Sequence, residues 1–202
     1  MTPQLFGTPL SHFTRKIRIL LAELGVDFQF VRTANVITAD PQGFAGNPLM
    51  RVPTFVHGED KLVESDHIAR YIVARWDPAD RFSVRSDKVS ELNRLAVING
   101  VMANEVTLIL AQRGGVTDLD SITYFRKLAS AIDGGLAWLD REAWDGTLRY
   151  VDIALICLWQ HLAHYKLTAL DAYGRLAARV EAFAARPSVA ATTPEQSLLL
   201  VE

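Results

Sequence analysis

The chain has a single cysteine, no excess of basic residues and no long apolar run, and each shortage removes a class of protein. Cys157 alone forms no internal disulfide and completes no zinc-ligand spacing, so neither a disulfide-stapled domain nor a zinc module is expected. The 21 basic side chains face 23 acidic ones and the arginines are scattered, which predicts no nucleic-acid partner and no anionic membrane surface. No uninterrupted apolar stretch is long enough to span a bilayer, and Met1-Thr2-Pro3 leads into a strand pattern rather than a charged-then-apolar leader. Repeats and low-complexity segments are also missing. The expectation is a cytoplasmic protein.

What is present suffices for a core. Half of the 202 residues are apolar, enough for one large domain or two small ones. Residues 4–6 read as a strand ended by Gly7, Thr8 and Pro9, and Ile17, Leu20, Leu21 and Leu24 follow at helical spacing with Gly25 as the C-terminal stop. Residues 28–31 are the next strand, so this stretch predicts a βαβ unit with parallel strands. Asp40-Pro41 suits the start of a short second helix. Residues 54–57 and 61–63 predict a hairpin turning at Gly58-Glu59-Asp60, followed by a helix carrying Ile68, Tyr71 and Ile72.

Residues 77–85 turn polar around Pro78 and read as a linker; beyond it only helical patterns remain. Leu92, Leu95, Met102, Val106 and Ile109 stripe one long helix that Gly114-Gly115 ends. A second carries Tyr124, Leu128, Ile132 and Trp138. Residues 151–162 are apolar on most sides, as in a helix central to a bundle, and Leu170, Tyr173, Leu176, Val180 and Phe183 mark a last helix before Pro187.

The stretch 47–72 concentrates unusual chemistry. Pro53 pushes Val52 into an extended conformation, which frees the Val52 backbone N–H and C=O to pair with another peptide. Glu64-Ser65 stands at a helix start, whose free N–H groups and dipole favour a carboxylate; the competing explanation is a plain N-cap. Together, Asn47-Pro48, Val52-Pro53 and Glu64-Ser65 resemble the glutathione transferase family, in which a cis-proline follows the residue that pairs with the cysteinyl part of glutathione and an acid-serine pair holds the γ-glutamyl end.

The resemblance implies a thioredoxin-like α+β domain over 1–76, a linker over 77–85 and an all-α helical bundle over 86–202. It implies glutathione as co-substrate, no metal, a homodimer and a detoxifying role. By its motif the chain is similar to bacterial, serine-type members, and Ser11 falls where the residue facing the glutathione sulfur stands; Thr14 is the alternative, and either hydroxyl also suits a helix cap. Free thiols titrate near 8.5, so a hydroxyl donating to sulfur beside a helix N-terminus favours the reactive thiolate. His12 occupies a position where many relatives have proline, and is read as a base near sulfur or a solvated loop group.

The glutathione contacts implied are Phe13, Arg51, Val52, Pro53, Glu64 and Ser65. Glu64 suits the γ-glutamyl ammonium and Ser65 its carboxylate; Arg51 suits a ligand carboxylate or open solvent, and Phe13 a ligand contact or the core. Asn99, Met102, Ala103 and Val106 would line an apolar second-substrate pocket, although such a stripe also fits a core. A glutamine found in some relatives is replaced by Phe44, and the serine or threonine that usually stands three residues before Asp152 is Arg149. The remaining histidines, His57, His67, His161 and His164, lack a matching carboxylate in the sequence, and Cys157 does not complete a site with His161 and His164. The function expected is transfer of the glutathione thiol to an electrophilic, apolar small molecule. A non-catalytic binding or regulatory module on the same fold is the alternative, and a thiol-disulfide reductase is disfavoured because Ser11 forms no mixed disulfide.

Overall fold

Gln4–Gly7 (β1), Gln29–Arg32 (β2), Thr54–His57 (β3) and Asp60–Val63 (β4) form one mixed sheet in the order β2-β1-β3-β4. The structure is a computed structural model describing residues 1–33, 36, 37 and 39–199. The β1 and β2 strands run parallel, joined by helix α1 (His12–Leu24), and the other two pairings are antiparallel. Gly25 closes α1 in the left-handed conformation at φ 67°, which a side chain would resist, as its position after Leu24 predicts. The expected second helix is a single 3₁₀ turn over Pro41–Phe44, capped by the Asp40 carboxylate on the Gln42 N–H.

Helix α2 (Ser65–Trp76) begins directly after β4. The rest is helical: α3 (Val89–Arg113), α4 (Thr123–Arg141), α5 (Tyr150–Tyr165), α6 (Gly174–Ala184) and two short helices, α7 (Pro187–Ala190) and α8 (Pro194–Leu198). Leu170 and Tyr173, expected on the last long helix, precede α6. By length and mean hydropathy α3 would pass for a membrane span. It is packed against α4 and α5, and it buries Glu105. Charge inside a packed seam marks it as a core helix of this fold.

The two halves share one core. The α1 helix packs against α2 on one side and against the nearly all-buried α5 on the other. Ile17, Leu20 and Leu21 of α1 and Ile153, Leu155 and Leu158 of α5 are all fully or almost fully enclosed. Burying an aliphatic side chain of this size contributes about 1.5–3 kcal/mol, so this seam fixes how the sheet half sits on the helical half.

Candidate active site

Strand register assembles the site. Phe6 of β1 lies opposite Thr54 of β3, and Thr54 lies opposite Val63 of β4. The exit of β1, the entry to β3 and the exit of β4 therefore share one end of the sheet. That brings together the Ser11 loop, Val52-Pro53 and Glu64-Ser65, which are up to 54 positions apart in sequence. Helices α1 and α2 both start there, so two sets of unpaired N–H groups and two positive dipole ends meet at this edge.

Ser11 is half-buried at the N-cap of α1, and its Oγ accepts the Thr14 N–H over 3.3 Å. Thr14 is fully enclosed against β1: a Cβ at Gly7 would lie 2.5 Å from its side chain, so glycine is required there. Of the two hydroxyls considered, that of Thr14 is enclosed, whereas Ser11 is half-buried. Phe13 is half-buried, its ring centroid 5.4 Å from Lys16 Nζ.

The Val52-Pro53 peptide is cis, with Pro53 enclosed. The buried Asn47 braces the loop in front of it: its Nδ2 donates to the Arg51 carbonyl at 2.8 Å and its Oδ1 accepts the Leu49 N–H at 3.0 Å. The Arg51 side chain is exposed. Glu64 is exposed with φ 68°, an uncommon conformation for a residue with a side chain. Ser65 is nearly enclosed, and among the described residues no side chain caps the first turn of α2.

This geometry has close counterparts. Residues 5–79 match the glutathione S-transferase N-terminal domain family. Over 75 residues the chain is 35% identical to glutathione S-transferase 3 of Zea mays, and over 72 residues 39% identical to glutathione S-transferase F7 of Arabidopsis thaliana. Each match spans about a third of this chain and 34% of the relative's length. Across nearly the whole chain, 96%, the fold superposes on all of a Methylobacillus flagellatus glutathione S-transferase with glutathione bound, at TM-score 0.81 and 25% identity. A Methylobacterium radiotolerans glutathione S-transferase in complex with glutathione sulfonate gives TM-score 0.79 at 23% identity, over 96% of this chain and 95% of that one. Residues 5–79 thus form a glutathione S-transferase N-terminal domain, and the chain as a whole has the fold of such transferases.

Several side chains sit otherwise than the sequence suggests. His12 is no loop group in solvent: it opens α1 and is 1% exposed. Nor does His161 lack a carboxylate, because its Nδ1 lies 2.5 Å from Glu105 Oε1. Both partners are more than fifty positions away in sequence, which hides them from any local pattern. The Arg149 position is also better satisfied than expected. Asp152 Oδ2 accepts the Arg149 N–H at 2.8 Å, while Asp152 Oδ1 accepts Arg179 Nε at 2.9 Å. Burial still pushes the Asp152 carboxyl up.

On α3, Met102 is fully enclosed in the core rather than facing an opening. Asn99 Nδ2 donates to Asp66 at 2.6 Å, and Asn99 Oδ1 accepts from Lys16 Nζ at 2.9 Å. Ala103 is exposed and Val106 half-buried. Cys157 is enclosed, and burial raises its thiol, which keeps it protonated and unreactive.

Two buried polar clusters back the site. Behind Ser65, Lys16 Nζ lies 2.8 Å from Asp66 Oδ1, which also accepts the Tyr150 hydroxyl at 2.9 Å. Burial opposes the charge on Asp66, but Lys16 and the hydrogen bonds outweigh it and hold the carboxyl below its usual range. Burial and the adjacent Asp66 push Tyr150 well up. Behind Ser11, Glu105 lies between His12 and His161. Burial opposes its charge as well, yet the two imidazoles hold its carboxyl low, whereas burial and His161 depress His12 to about 4.

Proposed function

We propose that the chain is a glutathione transferase that activates the glutathione thiol for attack on an electrophilic, apolar small molecule. The observation that carries this reading is the gathering of Ser11, Val52-Pro53 and Glu64-Ser65 at one sheet end where two helices begin. Each part has a task there. The Val52 backbone pairs with the cysteinyl peptide, the α2 N–H groups and Ser65 take the γ-glutamyl carboxylate, and Glu64 takes the ammonium. Arg51, free in solvent, meets a remaining carboxylate, and Phe13 and Pro53 flank the peptide.

The Ser11 hydroxyl donates to the sulfur and, with the dipole of α1, favours thiolate over thiol. In the transfer, the sulfur lone pair forms the new S–C bond and the leaving group departs with the bonding electrons of the electrophile. The apolar substrate is placed against the open face of α3 near Ala103 and Val106; Asn99 and Met102 support that wall from within. A homodimer in a reducing cytoplasm belongs to the same reading, and light scattering checks the dimer.

Calorimetry with glutathione and with S-methyl glutathione tests the proposal. Binding of glutathione that releases a proton, and of the methylated form that releases none, is the expected pair of results. The second reading, a binding or regulatory module without catalysis, draws on Phe44, which is fully enclosed and offers nothing to the glycyl end. Binding of both peptides without proton release would favour that reading, and binding of neither would remove glutathione from the function.

A further inference from the structure

The residue next to Ser11 has a place that thiol activation as written above does not use. His12 Nδ1 accepts the Phe13 backbone N–H at 3.1 Å. A neutral imidazole carries one proton, so with Nδ1 accepting, the proton sits on Nε2. That nitrogen lies 3.2 Å from Glu105 Oε2, within ion-pair distance but without hydrogen-bond geometry, and neither atom has a hydrogen-bond partner among the described residues. The other oxygen of Glu105 takes His161 Nδ1 at 2.5 Å, and the two imidazoles stack with centroids 4.2 Å apart. Glu105 belongs to α3 and His161 to α5, so the groups around the His12 ring come from the helical half.

A divalent ion is the rival explanation. The ligand atoms of the three residues lie within 4.8 Å of one another, and two histidines with a carboxylate are a donor set that zinc accepts. A metal on His12 Nε2, however, would move the ring proton to Nδ1, where it would point at the Phe13 N–H. The backbone contact therefore selects a proton-bearing Nε2 turned toward the Glu105 carboxylate.

We propose that His12 is a positioning residue for Ser11: Glu105, backed by His161, fixes the His12 ring and through it the direction in which the Ser11 hydroxyl points. The proposal rests on the reading of Ser11 as the thiol-facing group. Ser11 itself is held by one long side-chain contact, by its N–H on the Thr8 carbonyl at 3.2 Å and by its own carbonyl, which accepts the Arg15 N–H at 2.8 Å. The neighbouring peptide, locked by a buried imidazole, sets its orientation. The sheet half thus takes its thiol-activating geometry from the helical half. The groups facing His12 are Glu105 from α3, His161 from α5 and Lys16 along α1, and His161 also packs on Tyr165.

The decisive substitution is Glu105→Gln, which keeps the shape but accepts only one imidazole N–H and turns an amide donor toward the other. Followed by thiolate absorbance, the pKa of bound glutathione should rise by about half a unit to one unit, a roughly three- to tenfold loss of thiolate at neutral pH. The kcat should fall by the same factor, while the Kd of S-methyl glutathione changes by less than about twofold. In a Ser11→Ala background, Glu105→Gln should shift the thiol no further, because the effect travels through Ser11.

An equal shift with and without Ser11, or no shift from Glu105→Gln beside a clear one from Ser11→Ala, overturns the positioning role and leaves the reading of Ser11 standing. No shift from Ser11→Ala sinks that reading and the proposal with it. Should Glu105→Gln fail to fold, nitrogen NMR of the histidine rings in the unaltered protein decides the tautomer. A pyrrole-like Nε2 and a pyridine-like Nδ1 on His12 are expected. The opposite tautomer, or tight binding of added zinc that moves both ring signals, overturns the proposal.

Discussion

The two buried clusters cross the same seam beneath α1 but are built on different charges. Behind Ser65, a lysine and an aspartate balance each other, with Asn99 and Tyr150 filling the remaining hydrogen-bond positions. Behind Ser11, one carboxylate is held between two imidazoles, and its negative charge is balanced only if a proton enters. The first arrangement is indifferent to pH until Asp66 itself takes a proton. The second contains His12, whose imidazole burial depresses to about 4, so acid acts against the fold through it. Each stands behind one of the two serines proposed to hold glutathione.

The largest expected effect comes from breaking the balanced pair. Lys16 is fully enclosed, so Asp66→Ala strands a buried ammonium and should cost about 3–5 kcal/mol, measured by urea unfolding at neutral pH. A loss below about 1 kcal/mol would mean that Lys16 finds water or another partner.

Acid acts next, on the other cluster. His12 titrates near 6.5 in the unfolded chain and at about 4 in the fold, so the unfolded state binds the extra proton between these values. Stability is therefore complete above about pH 6.5 and falls as the pH drops toward 4, by at most about 3 kcal/mol. Glu105 and Asp66, both depressed, add losses of the same sign only at lower pH, below their ordinary values of 4.5 and 3.8. Unfolding curves across this range should show the His12 loss first, and a His12→Leu protein that keeps the same slope would assign it elsewhere.

Ser65→Ala should weaken glutathione binding by about tenfold, near 1.4 kcal/mol, with the bound thiol unaltered; calorimetry separates this from the Ser11 effect. The smallest change is Tyr150→Phe, which removes one hydrogen bond to an Asp66 that keeps two others. About 1 kcal/mol of stability should go, with glutathione affinity intact. A large loss of affinity would instead make Tyr150 a support of the Ser65 end.

The parts of the site legible in sequence are those whose chemistry is local. Val52-Pro53 restricts its own backbone, and Glu64-Ser65 sits where strand alternation gives way to a helical period. Ser11 needed the family motif, because a serine before a helix is otherwise an ordinary cap. The structure encloses the Thr14 side chain against Gly7 and leaves Ser11 half-buried. The positive φ of Glu64 had no sequence signal, since glutamate gives no hint of that conformation. His12, Glu105 and His161 escaped for a different reason: a histidine on a helix pattern looks the same whether it meets solvent or a carboxylate 93 positions away. The available signal was an acid, Glu105, among the apolar positions of α3, a pattern that Glu91 shares on the same helix.

The sequence by itself determined the order of the elements and the sheet-then-helix division, because alternation, helical period, glycine stops and proline act over a few neighbouring residues. It also carried the resemblance to glutathione transferases, through the backbone-restricting pairs Asn47-Pro48, Val52-Pro53 and Glu64-Ser65. Only the tertiary structure decided which hydroxyl is open, how Met102 and Asn99 are used, and where the buried charges find partners. Those outcomes depend on burial and on contacts between α1, α3 and α5, whose energies come from exclusion of water by chain segments far apart in sequence.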